Sequence, residues 1–220
     1  MSGTTDFRAE REAMIEGQLR RRGIREENIL EAFRAVPREE FVSADARHLA
    51  YGDYPLPIEA GQTISQPYIV ALMIQSAGIS AGDTVLEVGA GSGYAAAVIG
   101  RIASRVIGIE RHHALAEAAR ERMRRLGYDN VAIVEGDGTR GWPAKAPYDA
   151  ILAAASGSHV PEALIQQLKP GGRIVMPVGD PAGAQTLVKV EKAEDGSLSR
   201  SSLCGVRFVP LIGEDGWADG

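Results

Sequence analysis

Residues 85–93 read Val85-Leu86-Glu87-Val88-Gly89-Ala90-Gly91-Ser92-Gly93: a β-rich apolar run carrying one acid, then a glycine at every second position. An alanine-rich stretch of helical character begins at Tyr94. A strand that enters a glycine-rich turn and leaves it as a helix lets a ligand approach the backbone closely, because no Cβ stands in the way. The first turn of the helix beyond offers free N–H donors. A polar ligand is therefore expected at this turn, within a strand–turn–helix unit.

The same unit recurs on the C-terminal side. TVLEVGAGSG, VIGIE, VAIVEGDG, YDAILAA and RIVMPVG, between residues 84 and 179, alternate with alanine-rich or charged helical stretches. That alternation predicts an α/β fold with a doubly wound, mostly parallel, Rossmann-like sheet covered by helices on both faces. After Gly179 come QTLVKVEKA and LCGVRFVPL, joined by Glu194-Asp195-Gly196-Ser197, and the Asp-Gly pair predicts a hairpin. Towards the N-terminus, Met14, Ile15 and Leu19, then Ile29, Leu30, Phe33 and Val36, fall at helical spacing, punctuated by Gly23 and Pro37. YGDYPLPIEAGQTISQP, residues 51–67, holds three prolines and two glycines in seventeen residues and reads as a long ordered loop. Pro67 then suits the first turn of a helix that runs to Gly78. The 220 residues fit one domain around one core. Residues 1–80 form its helical cap and substrate loop, 81–180 its nucleotide-binding α/β core, and 181–220 its C-terminal β-hairpin.

The second strand, Val106 to Glu110, ends in a carboxylate about twenty residues after the first glycine, where an acid in such folds accepts hydrogen bonds from ribose hydroxyls. An adenosine-containing cofactor fits the turn and the acid together. A dinucleotide fingerprint wants a glycine or alanine three residues after Gly91, and Tyr94 holds that place, which disfavours NAD. The pattern acid-x-Gly-x-Gly-x-Gly, with Glu87 as the acid, resembles the nucleotide motif of class I methyltransferases. A plain strand-to-helix turn with a solvated Glu87 is the competing reading. Asp137, in Glu135-Gly136-Asp137-Gly138, stands at the third strand end, where the resemblance puts an acid against the adenine amino group. Gly-Asp-Gly is also a common tight turn.

From about Met14 to Leu211 the chain resembles the protein-L-isoaspartate O-methyltransferases. The most specific segment is YGDYPLPIEAGQTISQPYIVALM, residues 51–73, and within it Gly-Gln-Thr-Ile-Ser-Gln-Pro. LEVGAGSGYAAAVI, YDAI, LKPGGRIVMPVG and VRFVPL follow in the family's order, and Val36-Pro37-Arg38-Glu39-Glu40-Phe41-Val42 resembles its N-terminal signature. The resemblance implies S-adenosyl-L-methionine as cofactor and S-adenosyl-L-homocysteine as its product. It also implies methylation of the free carboxylate of L-isoaspartyl, and of D-aspartyl, residues in damaged proteins and peptides. Cofactor contacts are expected from Gln62, Thr63, Glu87, Gly89, Gly91, Ser92, Gly93, Glu110, Asp137 and Gly138. Ser65 is the catalytic residue the resemblance supplies, its hydroxyl holding the acceptor carboxylate. A helix N-cap two residues before Pro67 is the alternative for Ser65, and ordinary turn-stabilising polarity is the alternative for Gln62 and Thr63. Two departures bear on the substrate cleft. Leu152-Ala153-Ala154-Ala155-Ser156-Gly157 stands where the family commonly has a histidine or threonine and paired alanines, and Ile212 stands where a polar residue is common.

Composition narrows the field further. A net charge of −5, from 29 acidic against 24 basic residues, leaves no surplus to grip nucleic acid or an anionic membrane. The single cysteine, Cys204, cannot form an internal disulfide, and residues 1–20 lack an apolar signal core, so a cytoplasmic monomer is expected. His48, His112, His113 and His159 show no triad or metal-ligand spacing, so no metal is expected and surface or capping roles are read for all four. Arg120, Arg122, Arg124 and Arg125 read as a solvated helix face. A carboxylate nucleophile is already ionised at neutral pH and needs no general base. Two other readings share the nucleotide site: a methyltransferase acting on a small molecule, and a catalytically silent cofactor-binding homologue.

Overall fold

The computed structural model describes residues 6–219. Helix α1 (Phe7–Met14) starts at Asp6, whose carboxylate accepts the amides of Arg8 and Ala9 at 3.1 and 3.2 Å. It continues through a π-turn, Ile15–Leu19, and a 3-10 turn, Arg20–Arg22, before Gly23 ends it at φ 96°. Helix α2 (Glu27–Ala35) buries Ile29, Leu30 and Phe33, the stripe its spacing predicts. The loop at 51–67 contains no long element, only the two-residue strands β1 (Leu56–Pro57) and β2 (Thr63–Ile64) paired antiparallel. Helix α3 (Pro67–Ala77) then begins with Pro67 in its first turn and stops at Gly78, φ 60°.

From Thr84 the chain alternates as expected. Strands β3 (Thr84–Val88), β4 (Arg105–Glu110), β5 (Val131–Glu135), β6 (Tyr148–Ala153) and β7 (Leu168–Gly179) lie parallel. Between them come α4 (Tyr94–Gly100), α5 (His113–Arg125) and the short α6 (Glu162–Gln166). The predicted hairpin is β8 (Gln185–Lys192) with β9 (Leu198–Val206), antiparallel to each other and, through β8, to β7. The order β5-β4-β3-β6-β7-β8-β9 reverses direction at β3, so the crevice between the ends of β3 and β6 is a topological switch point, where open α/β sheets take ligands.

Strand alternation feeds two separate cores. Val85, Val106, Ala150, Val175 and Leu187 pack with α1 to α5, whereas Leu86, Val88, Ile107, Ile109, Ile151 and Ile174 pack with Leu164 of α6, Trp142 and Leu211. The N-terminal helices are thus not an appendage: Met14, Leu30 and Phe33 belong to the same buried cluster as α3 and α4. Among the described residues no helix is long and apolar enough to cross a membrane.

Candidate active site

The glycine turn sits at the carboxyl end of β3 and is clamped to β4. The amides of Gly89 and Ala90 both donate to the Ile109 carbonyl at 2.9 Å. Gly91 has φ 54° and Gly93 φ 85°, left-handed values that glycine adopts without strain. A Cβ on Gly91 would stand 3.3 Å from Ile58 Cδ1, under the loop at 51–67; one on Gly93 would stand 3.1 Å from Met123 Cε, inside the packing between α4 and α5. The two glycines therefore do different jobs. Gly91 keeps the approach to the turn open and lies on the cavity wall, while Gly93, which is not on that wall, lets α4 and α5 close up.

Three acids end three neighbouring strands, and the structure brings two of them to the cavity. Glu110 accepts the Gly91 amide on Oε2 at 2.8 Å and the His112 amide on Oε1 at 2.9 Å, so it organises the turn and keeps further lone pairs for a ligand. Glu87 lies deeper, 2% exposed, and its Oε2 has no hydrogen-bond partner. Burial, helped by the nearby Glu110 charge, pushes its carboxyl up to about 8. A polar atom buried on the wall without a protein partner calls for one from a ligand. Asp137 is not on the wall. Its Oδ1 accepts from the Thr139 amide and hydroxyl at 2.9 and 2.7 Å, and its Oδ2 accepts the Glu214 amide at 2.8 Å. Burial would raise its pKa, but those donors outweigh it and hold the carboxyl below its ordinary value. The carboxylate caps the turn at Gly138–Arg140 and ties down the C-terminal segment, so the tight-turn reading describes it; Gly138 itself does line the cavity.

The loop at 51–67 closes the cavity from above and is fastened along its length. Gln18 Nε2 donates to the Tyr51 carbonyl at 2.8 Å, Gln66 Nε2 donates to Asp53 Oδ1 at 2.7 Å, and Arg38 Nη2 donates to the Ser65 carbonyl at 2.9 Å. Gln62, Thr63 and Ser65 all reach the wall of a cavity of about 260 Å³ shared with Glu87, Gly91 and Glu110. Gln66, not Ser65, occupies the N-cap position of α3, so the capping alternative for Ser65 does not hold. Among the described residues the Ser65 hydroxyl has no hydrogen-bond partner.

The wall also holds the two departures that bear on the cleft, and residues the sequence does not mark, Val209, Pro210, Arg111 and His112 among them. Val209 to Ile212 form one side, carried there because the Ser156 amide donates to the Val209 carbonyl and the Leu211 amide to the Ser156 carbonyl, both at 2.8 Å. Ala154 and Ala155, the departure after β6, line the cavity beside them. His112 and Arg111 are also on the wall; their signal was adjacency to Glu110. Arg122 corrects the solvated-face reading, since its Nε donates to the Glu40 carbonyl at 2.7 Å and its Nη1 to the Ser92 carbonyl at 2.6 Å. The structure also links Ser158, His159 and Asp215 through His159, at 2.9 and 3.1 Å, a chain that no sequence spacing showed. It is exposed and lies off the wall.

A turn clamped by an acid, a second, buried acid and a free serine hydroxyl on the same wall suit an adenosine-containing methyl donor and a carboxylate acceptor. Residues 9–216 match the family model for protein-L-isoaspartate(D-aspartate) O-methyltransferase. The chain belongs to this family. It is 54% identical over 207 residues to protein-L-isoaspartate O-methyltransferase 2 of Pelobacter propionicus, covering 94% of this chain and 92% of that one. It is 55% identical over 209 residues to the Methylorubrum extorquens protein-L-isoaspartate O-methyltransferase, covering 95% and 91%. A solved protein-L-isoaspartate O-methyltransferase superposes with a TM-score of 0.85 at 33% identity, over 94% of this chain and 67% of that one. A Plasmodium falciparum beta-aspartate methyltransferase, in complex with S-adenosyl-L-homocysteine, superposes with a TM-score of 0.79 at 25% identity, over 95% and 99%. As a family member the chain is an S-adenosylmethionine-dependent carboxyl methyltransferase with the class I fold.

Proposed function

We propose that this methyltransferase esterifies the free carboxylate of L-isoaspartyl and D-aspartyl residues in damaged proteins and peptides, initiating their repair, and that Ser65 holds the acceptor. The observation that carries the assignment is the Ser65 hydroxyl, free of protein partners, on the same cavity wall as the glycine turn. S-adenosylmethionine, when bound, supplies a methyl group on a positively charged sulfur, so transfer to a carboxylate requires no acid or base from the protein. The chain's own contribution is orientation and desolvation. The Ser65 hydroxyl donates to one carboxylate oxygen and leaves the other free to attack, a charge-assisted hydrogen bond that fixes the angle of approach. Ala155, Leu211 and Ile212 supply apolar wall that strips water from the acceptor.

Gln62, Thr63, Glu87, Gly89, Gly91, Ser92, Glu110 and Gly138 are the residues that would hold the cofactor, all of them on the wall. Glu110 suits hydroxyl donors, and Glu87 offers a buried carboxyl oxygen that no protein group partners. The same reading has the chain act as a monomeric single domain in the cytoplasm, on isoaspartyl proteins and peptides and not on nucleic acid or membranes, and the net charge of −5 and lone cysteine support it. The experiment is a methyl-transfer assay on an isoaspartyl peptide, with the normal aspartyl peptide as control. Transfer to the first alone supports the proposal. Transfer to neither, with cofactor bound, sinks it in favour of a small-molecule acceptor or a silent homologue.

A further inference from the structure

Arg38 stands at the joint between the helical cap, the substrate loop and α4. It is fully buried. Its Nε donates to the Ala50 carbonyl at 2.7 Å, its Nη2 to the Ser65 carbonyl at 2.9 Å, and its guanidinium carbon lies 4.6 Å from the centroid of the Tyr94 ring, which lines the cavity. Among the described residues no carboxylate pairs with it. Its neighbour Glu39 is taken by Arg11 at 3.1 Å and by the Tyr51 hydroxyl. Arg38 Nη1 and the Tyr94 hydroxyl are both buried without a hydrogen-bond partner.

A guanidinium buried without a counter-charge is a costly way to fill space, and apolar side chains often replace buried ions at no loss of stability. What a cation supplies here, and an apolar chain would not, is a hold on two carbonyls. The Ser65 carbonyl needs one: helix α3 does not reach it, since the Ile69 amide donates to Gln66 at 3.1 Å instead. The bond from Arg38 anchors the backbone of the loop at Ser65, and a shift of the unanchored segment would carry Cα, and the hydroxyl with it, off the wall.

We propose that Arg38 is a positioning residue for the acceptor: its guanidinium, seated on Tyr94, pins the Ser65 carbonyl and thereby aims the Ser65 hydroxyl into the cavity. The inference rests on Ser65 being the acceptor's donor. The test is Arg38→Met and Arg38→Lys, each made in the wild-type and the Ser65→Ala background, with melting temperature, S-adenosylhomocysteine affinity and kcat and KM on an isoaspartyl peptide measured for all. Arg38→Met is expected to fold with a lowered melting temperature, since two carbonyls lose their donor while a buried charge is removed, and to bind S-adenosylhomocysteine unchanged. Its turnover should fall on the order of 10²-fold, the cost of a misplaced reacting group. Arg38→Lys, able to reach one carbonyl, should lose less. In the Ser65→Ala background neither substitution should lower turnover further, because the group they aim is gone. Wild-type turnover in Arg38→Met overturns the proposal, as does an equal fold-loss in both backgrounds. Failure of both variants to fold overturns it too, since Arg38 would then be a structural member of the cap. Wild-type turnover in Ser65→Ala alone is a different outcome: it removes the donor assignment itself.

Discussion

The Glu110 carboxylate accepts the amide of Gly91 at 2.8 Å, so the acid that would face the ribose also holds the turn that would face the rest of the cofactor. Its second oxygen accepts the His112 amide at 2.9 Å, closing the start of α5 onto the same strand end. Glu110→Ala should therefore weaken both folding and cofactor binding, each by roughly 1–3 kcal/mol, the scale of lost hydrogen bonds to a charged group. Denaturant unfolding and calorimetry with S-adenosylhomocysteine measure the two losses. A fall in stability with unchanged affinity would leave Glu110 a clamp for the turn and nothing more.

Gly91 gives an independent check on the same turn. With φ 54° and Ile58 Cδ1 3.3 Å from where a Cβ would be, Gly91→Val adds backbone strain and fills the approach. A β-branched residue held there costs on the order of 1–3 kcal/mol. Stability should fall by an amount in that range, cofactor affinity should fall as the added side chain crowds the turn, and Gly91→Ala should fall between wild type and Gly91→Val on both counts. Calorimetry giving equal affinities for all three would take the turn out of the binding site.

Glu87 makes the protein's stability depend on pH in an unusual direction. Its folded-state carboxyl, pushed up to about 8 chiefly by burial and secondarily by Glu110, holds a proton that the unfolded chain releases near 4.5. Below about 4.5 both states are protonated and the group contributes its full stability; as pH rises towards about 8 the folded state binds the extra proton, and that contribution is lost. The slope is about 1.4 kcal/mol per pH unit for one proton. Glu87→Gln, which keeps the shape and cannot ionise, should melt progressively higher than the wild type as pH climbs from 5 to 8. A constant gap between the two melting curves would mean that Glu87 is ionised in the folded protein.

Local chemistry made much of this legible in advance. The strand, glycine turn and helix at Val85 to Ile99 are contiguous in the chain, and the Asp195-Gly196 turn sets its hairpin without help from elsewhere. What stayed hidden depends on residues far apart. Asp137 reads equally as a ligand contact or a turn, and the deciding partner, the Glu214 amide, is 77 residues away. Arg122 belongs to a charged helix face by spacing, yet the Glu40 and Ser92 carbonyls that accept its hydrogen bonds arrive from other elements. The wall at Val209 to Ile212 is placed by Ser156 across the sheet end, a pairing that no periodicity announces. Ser65 was ambiguous for a smaller reason: a one-residue shift of the α3 cap to Gln66 separates a capping hydroxyl from a free one.

That shift sharpens the expectation for Ser65→Ala. As a helix cap, Ser65 would cost about 1 kcal/mol of stability on truncation and leave turnover in the folded protein nearly intact. With Gln66 in the cap position and the Ser65 carbonyl, not its hydroxyl, bonded to Arg38, truncation at Cβ removes no hydrogen bond from the folded chain. The melting temperature should hardly move, and cofactor affinity should hold, because the turn and its acids are untouched. Turnover on an isoaspartyl peptide should fall on the order of 10²-fold, since a desolvated carboxylate would lose both its donor and its angle of approach. Ser65→Thr keeps the hydroxyl but adds a methyl group beside it, and should recover part of the loss if the cavity accepts the methyl. Thermal melting, calorimetry and single-turnover methyl transfer on the same preparations separate the three quantities. A Ser65→Ala protein that melts early and turns over at the wild-type rate would return the hydroxyl to a structural role and move the search for the acceptor's donor to Thr63, the neighbouring hydroxyl on the same wall.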